Sequence, residues 1–383
     1  MTDTVHTVVR HRSDLLVREG AIPTATGEDL ESAIGAALSE LGLADACDLV
    51  RVGDPVEGGR PCLFDCVRRV DGEWRRPTDL EGSDWAIYET VGPTVETVRD
   101  DRTHGAAYVS VRALEVLRDR AVAGMRDREP DDGDAADEAW DDLVPVAERL
   151  LAARPAMAVV ENRVNRAMAS ASGEETGRAV ARAASEGIER AWDADGRAAR
   201  EAAALLGDRV LTLSRSGTVL SALGEADVES VVVLESRPGG EGVGVAERLA
   251  EEGLDVTLTF DGRVAGVLGD VDTVLVGADT VRADGTVVNK VGTHTAAVVA
   301  GRYDVPVYAV AATDKVRVGE VDLEEGDPSA LYDGPADLTL LAAPFEEVPP
   351  EPFAGIVTEE GVLDERAIER VAADHERRAD WRR

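Results

Sequence analysis

Two lysines are the first residues in this chain whose type and position suggest chemistry. They are the only lysines among 41 Lys and Arg residues, and both lie in the second half of the sequence. Lys290 follows Asn289, and Lys315 ends the segment Ala312–Lys315. An ammonium is a compact point charge that the planar fork of an arginine does not reproduce. In a chain that otherwise uses arginine, both lysines are candidates for binding a phosphate.

Further candidate side chains follow strand-like runs in the same region. Ser214–Thr218 follows RVLTL, Ser236–Gly242 follows VVVLE, and Asp279 follows DTVLVGA. Backbone N–H groups at helix starts favour a bound anion, and a lone carboxylate among cations suits acid–base chemistry or hydroxyl binding. Taken singly, each feature also fits an ordinary turn, a helix cap or a surface charge. Together at one edge of a sheet, they favour a site.

The elements that must position these residues form an alternating pattern. Short β-branched runs alternate with helical segments, which predicts a doubly wound, Rossmann-like parallel sheet whose ligands bind at the carboxyl ends of the strands. The predicted strands are 209–213, 231–236, 256–260, 272–278 and 306–311, and the predicted helices lie near 217–223, 244–252, 262–268 and 293–301. Residues 335–383 add a short strand, a proline-rich segment and a charged C-terminal helix.

The remaining sequence predicts two other regions. Residues 1–92 are β-rich with a helix over 27–43, and an Asp71-Gly72 turn indicates a hairpin. Residues 93–207 are predicted to be helical, with a solvated acidic loop at 129–142 that runs into a helix start. The predicted domains are therefore 1–92, 93–207 and 208–383, in an α/β fold with an N-terminal α+β domain.

The composition limits the environment and the partners. A formal net charge of −35 repels nucleic acid and anionic membranes, and 44% hydrophobic residues argue against disorder. Abundant acid with little lysine is typical of a cytoplasm rich in salt, where the Debye length is about 3 Å at 1 M. Cys47, Cys62 and Cys66 are too few for a disulfide framework and lack the partners for a metal site, so free thiols in a cytoplasmic protein are expected. No metal or cofactor is predicted.

At these residues the sequence resembles a known superfamily. Its branches are methylthioribose-1-phosphate isomerase, ribose-1,5-bisphosphate isomerase and the alpha, beta and delta subunits of translation initiation factor 2B. The resemblance spans about residues 93–375. The motifs that carry it are ESRP at 235–238, GAD at 277–279, NKVGT at 289–293, HGAA at 104–107 and ARPAMAVVENRVN at 153–165.

The resemblance implies roles for individual residues. In the isomerases a cysteine and an aspartate open the sugar ring and move protons between C1 and C2. Asp279 occupies the aspartate position, as proton donor, but Ser214 stands where the cysteine is expected, and a hydroxyl is a far weaker acid than a thiol. The implied substrate-binding residues are His104, Gly105, Ala106, Arg154, Ser216, Gly217, Thr218, Arg237, Glu241, Asn289, Lys290 and Lys315. Two of these depart from the family: His104 replaces an arginine, and Glu241 replaces a glutamine.

The N-terminal region resembles a degenerate Nudix domain. Its helix ends in Glu40-Leu41-Gly42-Leu43, like the end of a Nudix box, but Gly35, Ala36 and Ser39 stand where the family needs metal-binding residues. One carboxylate cannot hold a catalytic Mg²⁺ cluster, so Nudix hydrolysis is not expected. Glu28, Asp29 and Glu31 are interpreted as charges that complement the helix dipole.

Two functions remain open from the sequence. The main hypothesis is a regulatory protein like initiation factor 2B that binds a phosphorylated sugar or nucleotide without turnover. The alternative is an aldose–ketose isomerase acting on ribose 1,5-bisphosphate or a related pentose 1-phosphate. The resemblance also implies a homodimer or larger assembly and makes initiation factor 2 a candidate partner. Direct contact with nucleic acid or a membrane is not expected.

Overall fold

The computed structural model describes residues 2–44, 46–56, 58–101, 104–126, 135–323 and 325–382, with only the main chain over 135–139. The chain divides into two compact units. The first consists of the described parts of 1–94 and 115–135, and the second of the described parts of 95–114 and 136–383. This division assigns residues 95–114 and the helices after 135 to the same unit as the Rossmann-like sheet.

The first unit is a mixed sheet with a helix packed against it. Its elements are β1 (Asp3–His11), β2 (Asp14–Val17), β3 (Thr24–Gly27), α1 (Leu30–Leu41), β4 (Cys47–Val52), β5 (Arg60–Cys66), β6 (Glu73–Arg75) and α2 (Gly82–Val91). The strand order is β4-β5-β1-β2-β6, with β3 paired to β1. Strands β1 and β5 are parallel, and the other pairs are antiparallel.

Helix α1 confirms the predicted helix, although it is shorter than predicted, over Leu30–Leu41 instead of 27–43. Asp29 caps its start by accepting a hydrogen bond from the Ser32 N–H at 2.8 Å, and this bond lowers the pKa of the Asp29 carboxyl. Gly42 ends the helix with a left-handed φ of 68°, which glycine adopts without strain. Ala33 and Ala37 face Val5 and Phe64 of the sheet. The interpretation of Asp29 as a charge at the helix N-terminus is therefore confirmed.

The expectation of three free thiols is wrong. Cys47 and Cys66 form a disulfide, and among the described residues only Cys62 is a free, buried cysteine. The two bonded cysteines lie directly opposite each other in the antiparallel β4–β5 pair. Sequence spacing did not reveal this, because the register between two strands depends on their pairing in the folded sheet.

The second unit begins with a set of helices. They are α3 (Val95–Asp100), α4 (Ala106–Arg126, which continues into the first unit), α5 (Ala135–Ala153), α6 (Ala158–Ala171) and α7 (Gly177–Ala203). Their positions confirm the predicted helical region. Of the predicted acidic loop at 129–142, residues 129–134 lie outside the described residues, and 135–142 are helical rather than loop. The alanines among the acids favour the helix there.

The Rossmann-like sheet follows. Its elements are β7 (Arg209–Leu213), α8 (Gly217–Glu225), β8 (Ser230–Leu234), α9 (Glu241–Glu251), β9 (Asp255–Thr259), α10 (Val264–Val267), β10 (Thr273–Gly277), α11 (Thr293–Arg302), β13 (Val307–Val310), β16 (Gly355–Thr358), β17 (Gly361–Leu363) and α12 (Glu365–Arg378). The strand order is β17-β16-β13-β10-β7-β8-β9, and only β17 is antiparallel to its neighbour. The predicted parallel sheet is confirmed, because an observed strand overlaps each predicted strand run and begins within one residue of it.

The second unit also contains a smaller sheet, whose strands alternate along the sequence with elements of the Rossmann-like sheet. It is built from β11 (Thr280–Arg282), β12 (Val287–Lys290), β14 (Val316–Arg317) and β15 (Phe345–Val348), in the order β14-β11-β12-β15. Strands β11 and β12 form an antiparallel hairpin, and β12 carries Asn289 and Lys290. Strand β15 fixes the register of the lysine-bearing strand, because Lys290 pairs with Phe345 and Asn289 with Glu346.

No helix in the described part of the chain is both long enough and apolar enough to cross a membrane.

Candidate functional site

The carboxyl ends of β7 and β8 are joined through two serines. Ser214 and Ser236 both have left-handed backbones, with φ of 62° and 65°. The Ser214 N–H donates to the Ser236 hydroxyl at 2.6 Å, and that hydroxyl donates to the Leu234 carbonyl at 3.0 Å. The N–H groups of Ser236 and Arg237 both donate to the Asp261 carboxylate at 2.8 Å. The turn that carries Ser214 is therefore held by the neighbouring turn.

Close packing at this edge depends on glycine. A methyl group on Gly277, the last residue of β10, would lie 2.8 Å from the Ser216 side chain. A methyl group on Gly242 would overlap the Leu234 carbonyl oxygen. Ser216 also caps α8, because its hydroxyl accepts a hydrogen bond from the Val219 N–H at 3.4 Å. The starts of α8 and α9 therefore lie tightly against the strand ends, as phosphate-binding helix starts do.

Lys290 is buried and paired with an acid. Its residue is 3% exposed, and its Nζ lies 2.6 Å from Oε1 of Glu241 at the start of α9. The loop after Lys290 is fixed by Thr293, whose hydroxyl donates to the Lys290 carbonyl at 2.6 Å and accepts from the Asn289 amide at 2.9 Å. The structure thus brings Glu241 to Lys290, which lies 49 residues away in the sequence.

Lys315 lies next to Asp279. Its Nζ donates to the carbonyl of Ala278, the residue before Asp279. Burial lowers the pKa of the Lys315 ammonium, while the Asp279 carboxylate acts in the opposite direction. Asp279 itself is partly exposed, and its N–H donates to the Val288 carbonyl at 2.9 Å. A carboxylate at the end of β10 therefore has an ammonium beside it, which is an arrangement suited to proton transfer.

The loop that carries Lys315 rests on a buried ion-pair network. Asp314 lies 2.9 Å from Nε of Arg163 and 2.6 Å from Nη2 of Arg166. Burial would raise the pKa of the Asp314 carboxyl, but the two guanidinium groups outweigh it and lower the pKa to about 2. The Asn162 amide donates to the carbonyls of Asp314 and Val316, both at 2.8 Å. The roles of Asn162, Arg163 and Asp314 were not predicted, and the adjacent Asn162-Arg163 on a largely apolar helix was the signal available in the sequence.

His104 and Arg154 both contact Asp101. The Asp101 carboxylate accepts from the His104 N–H at 2.9 Å and lies 2.8 Å from its Nδ1. Arg154, which is buried, donates to the Asp101 carbonyl at 2.6 Å. The segment after Arg154 is joined to the smaller sheet by two hydrogen bonds: the Thr280 hydroxyl donates to the Ala156 carbonyl at 3.4 Å, and Arg317 Nη1 donates to the Pro155 carbonyl at 3.2 Å.

The other predicted residues lie at the sheet edge itself. Gly217 and Thr218 form the first turn of α8, where Gly217 is exposed and Thr218 is buried. Arg237 is exposed, and its Nε lies 3.3 Å from Glu235. Within the described residues, no group of three or more His, Cys, Asp or Glu side chains is arranged to hold a metal ion. The edge thus presents hydroxyls, a carboxylate, helix starts and two ammonium groups.

Comparison with known proteins identifies relatives of the chain. Ribose 1,5-bisphosphate isomerase of Haloferax volcanii is 33% identical over 304 residues, which is 74% of this chain and 91% of that protein. Ribose 1,5-bisphosphate isomerase of Archaeoglobus fulgidus is 31% identical and covers 72% of this chain and 90% of that protein.

Solved structures agree with this match. Translation initiation factor eIF-2B of Pyrococcus horikoshii OT3 matches with a TM-score of 0.58 and 26% identity, over 70% of this chain and 94% of that chain. The fold is shared with 5-methylthioribose 1-phosphate isomerase of the same organism, with a TM-score of 0.59 and 22% identity over 74% of this chain and 86% of that one. The family model of the initiation factor 2 subunit family matches residues 102–365. The chain therefore belongs to the initiation factor 2 subunit family.

Proposed function

We propose that this protein is an aldose–ketose isomerase acting on a pentose 1-phosphate, with ribose 1,5-bisphosphate as the substrate class to test first. The observation that carries the proposal is Asp279 at the end of β10, beside the buried ammonium of Lys315. The proposal is supported by two relatives named ribose 1,5-bisphosphate isomerase, 33% and 31% identical to this chain. These relatives favour an isomerase over the purely regulatory protein that the sequence first suggested.

The reaction needs balanced proton transfers and no redox partner. Opening the furanose ring breaks the bond between C1 and the ring oxygen, and that oxygen takes up a proton. The isomerisation then removes one proton from C2 and one from the C2 hydroxyl, and delivers one to C1. Asp279 is the proposed donor to the ring oxygen, because it stands at the family's aspartate position and a partly exposed carboxyl can exchange a proton with a bound sugar.

The phosphates are proposed to bind at the glycine-rich helix starts and the lysines. The N-termini of α8 and α9 lie at this edge, and the positive end of a helix dipole favours an anion. Lys290 and Lys315 are both at least 95% buried, so their charges are weakly screened by solvent. His104 and Arg154 are proposed to complete the substrate pocket from the Asp101 loop, on the strength of the family resemblance.

Turnover of ribose 1,5-bisphosphate by the purified protein in molar salt tests the proposal. The product is a ketose, which NMR distinguishes from the aldose. Asp279→Asn keeps the shape of the side chain but removes its acidity, and we expect it to lower kcat by about 10²–10⁴-fold. Asp255→Asn is the matched control, because Asp255 is exposed at the amino end of β9. Absence of ketose from the wild-type protein, with every active control enzyme working, overturns the proposal.

A binding protein without turnover is the second candidate, and Ser214 favours it. A free cysteine thiol has a pKa of about 8.5, whereas a serine hydroxyl stays protonated at neutral pH. In this case ribose 1,5-bisphosphate or a nucleotide raises the thermal stability of the protein without conversion. We also propose a homo-oligomer, as the family resemblance implies. Light scattering in molar salt measures the assembly directly.

The proposed partner initiation factor 2 and the Nudix-like character of residues 1–92 stay predictions. Initiation factor 2 enters through the name of the family, and a pull-down in molar salt with the purified factor tests it. The family model begins at residue 102, so it does not cover the N-terminal region.

A further inference from the structure

The carboxylate of Glu241 occupies the place where an anion is expected at Lys290. Its Oε1 lies 2.6 Å from the Lys290 Nζ, which is the distance of a charge-assisted hydrogen bond. Lys290 is one of only two lysines in the chain, and its side chain is 4% exposed. A buried ammonium of this kind needs a counter-charge. In the structure, the protein supplies that counter-charge itself.

The position of Glu241 at the start of a helix strengthens this interpretation. Glu241 is the first residue of α9, and Gly240 before it has a left-handed φ of 73° with no side-chain cap. The carboxylate lies over the preceding turn, so close to Gly239 that a methyl group on this glycine would overlap it. The negative charge therefore lies between an ammonium and the positive end of a helix of 11 residues. These are the same features that favour a phosphate.

The second oxygen of Glu241 is left without a partner. Its Oε2 is buried and forms no hydrogen bond with any described residue. A buried acceptor without a donor costs free energy, so this placement of the carboxylate is only partly satisfied. The Glu241 side chain as a whole is 31% exposed, which leaves it a path toward solvent. An anion that is better satisfied at this place can thus displace the carboxylate toward solvent.

We propose that Glu241 is an internal competitor for phosphate at Lys290, so that a ligand's phosphate binds there only by displacing the Glu241 carboxylate. Two anions cannot share one ammonium in a partly buried site without strong repulsion. The carboxylate therefore lowers the affinity for phosphorylated ligands and excludes weakly binding anions. This inference deepens the proposed function, because it concerns the selectivity of the same site.

The test compares matched variants on one helix. Glu241→Gln removes the charge and keeps the shape, and we expect it to tighten the binding of ribose 1,5-bisphosphate and of inorganic phosphate by roughly tenfold or more. Glu247→Gln makes the same charge change on the exposed side of α9 and is expected to leave both affinities unchanged. Isothermal titration in molar salt measures both ligands, and a thermal melt verifies folding. Glu241→Ser serves as a second variant if Glu241→Gln does not fold.

If Glu241 competes with phosphate at Lys290, the effect of Glu241→Gln should depend on the lysine. In a Lys290→Met background the Glu241→Gln change should tighten phosphate binding by a smaller factor, because the ammonium that both anions share is gone. An unchanged factor in the two backgrounds would mean that Glu241 acts through general charge rather than at Lys290, and would overturn the inference. Equal or weaker phosphate binding by Glu241→Gln overturns it as well.

The outcomes separate this inference from the proposed function. If the wild type turns over the substrate and Glu241→Gln does not change the affinity for phosphate, the inference about Glu241 is wrong and the isomerase proposal stands. If Glu241→Gln binds phosphate more tightly but no variant shows turnover, the inference is supported and the isomerase proposal is wrong. If neither protein binds ribose 1,5-bisphosphate or phosphate, both proposals fail.

Discussion

Asp314 and Arg163 form an ion pair inside the second unit, with Oδ2 of the aspartate 2.9 Å from Nε of the arginine. Both residues are at most 3% exposed. The pair joins helix α6 to the turn after β13, and the next residue in that turn is Lys315. The position of a proposed phosphate-binding lysine therefore depends on a buried charge pair in the turn that carries it.

We expect Asp314→Asn to destabilise the protein strongly. The substitution leaves the guanidinium groups of Arg163 and Arg166 without their shared carboxylate, and breaking a buried pair in this way costs about 3–5 kcal/mol. Asp374→Asn is the control, because that carboxylate pairs with arginines at the surface and contributes less than about 1 kcal/mol. Urea unfolding in molar salt measures both free energies. Equal effects of the two changes would contradict the importance of burial.

A buried histidine predicts loss of stability in mild acid. Burial lowers the pKa of His375 below its ordinary value of 6.5, and its Nε2 lies 3.0 Å from the Thr313 carbonyl. The unfolded chain thus takes up a proton at a higher pH than the folded chain. The free energy of unfolding should therefore fall as the pH drops below about 6.5. His375→Gln should lose less stability than the wild type between about pH 7 and pH 5; parallel curves would exclude His375 as the cause.

Close packing at the start of α9 predicts opposite effects for two glycines of one helix. Gly242→Ala places a methyl group against the Leu234 carbonyl, and forcing this contact should cost about 1–3 kcal/mol. Gly244→Ala meets no atom within 4 Å and should stabilise the helix by roughly 0.5–1 kcal/mol. Thermal unfolding distinguishes the two. If Gly242→Ala leaves the thermal stability unchanged, the packing of α9 against the end of β8 is less close than in the structure.

Ser214→Cys should raise isomerase turnover. The thiol, with a pKa of about 8.5, supplies an anion that a hydroxyl does not provide at neutral pH. Cysteine and serine are similar in size, and the Ser214 N–H that donates to Ser236 is unchanged. Ser221→Cys, on the exposed face of α8, controls for an added thiol. Rates of ketose formation that are the same in wild type and Ser214→Cys would show that this position does not limit the reaction.

Much of the fold was predictable because it depends on local patterns. The strands 209–213 and 306–311 and the helix at 293–301 are marked by β-branched runs, by alanine spacing and by glycine before the helix start, and the structure confirms them within a few residues. The parallel arrangement followed from the alternation of strand and helix. The shortage of lysine made Lys290 and Lys315 candidate site residues, and both are buried near strand ends in the structure.

The sequence by itself determined the alternating elements, the parallel sheet and the residues at the ends of its strands, since these depend on neighbours in the chain. Only the tertiary structure decided which of those residues meet. The Glu241–Lys290 pair spans 49 residues and the Arg163–Asp314 pair 151, and the Cys47–Cys66 disulfide depends on strand register. No spacing rule predicts such contacts, because they form only when distant segments pack together. For the same reason, the sequence could not show that Lys290 already has a carboxylate at its ammonium.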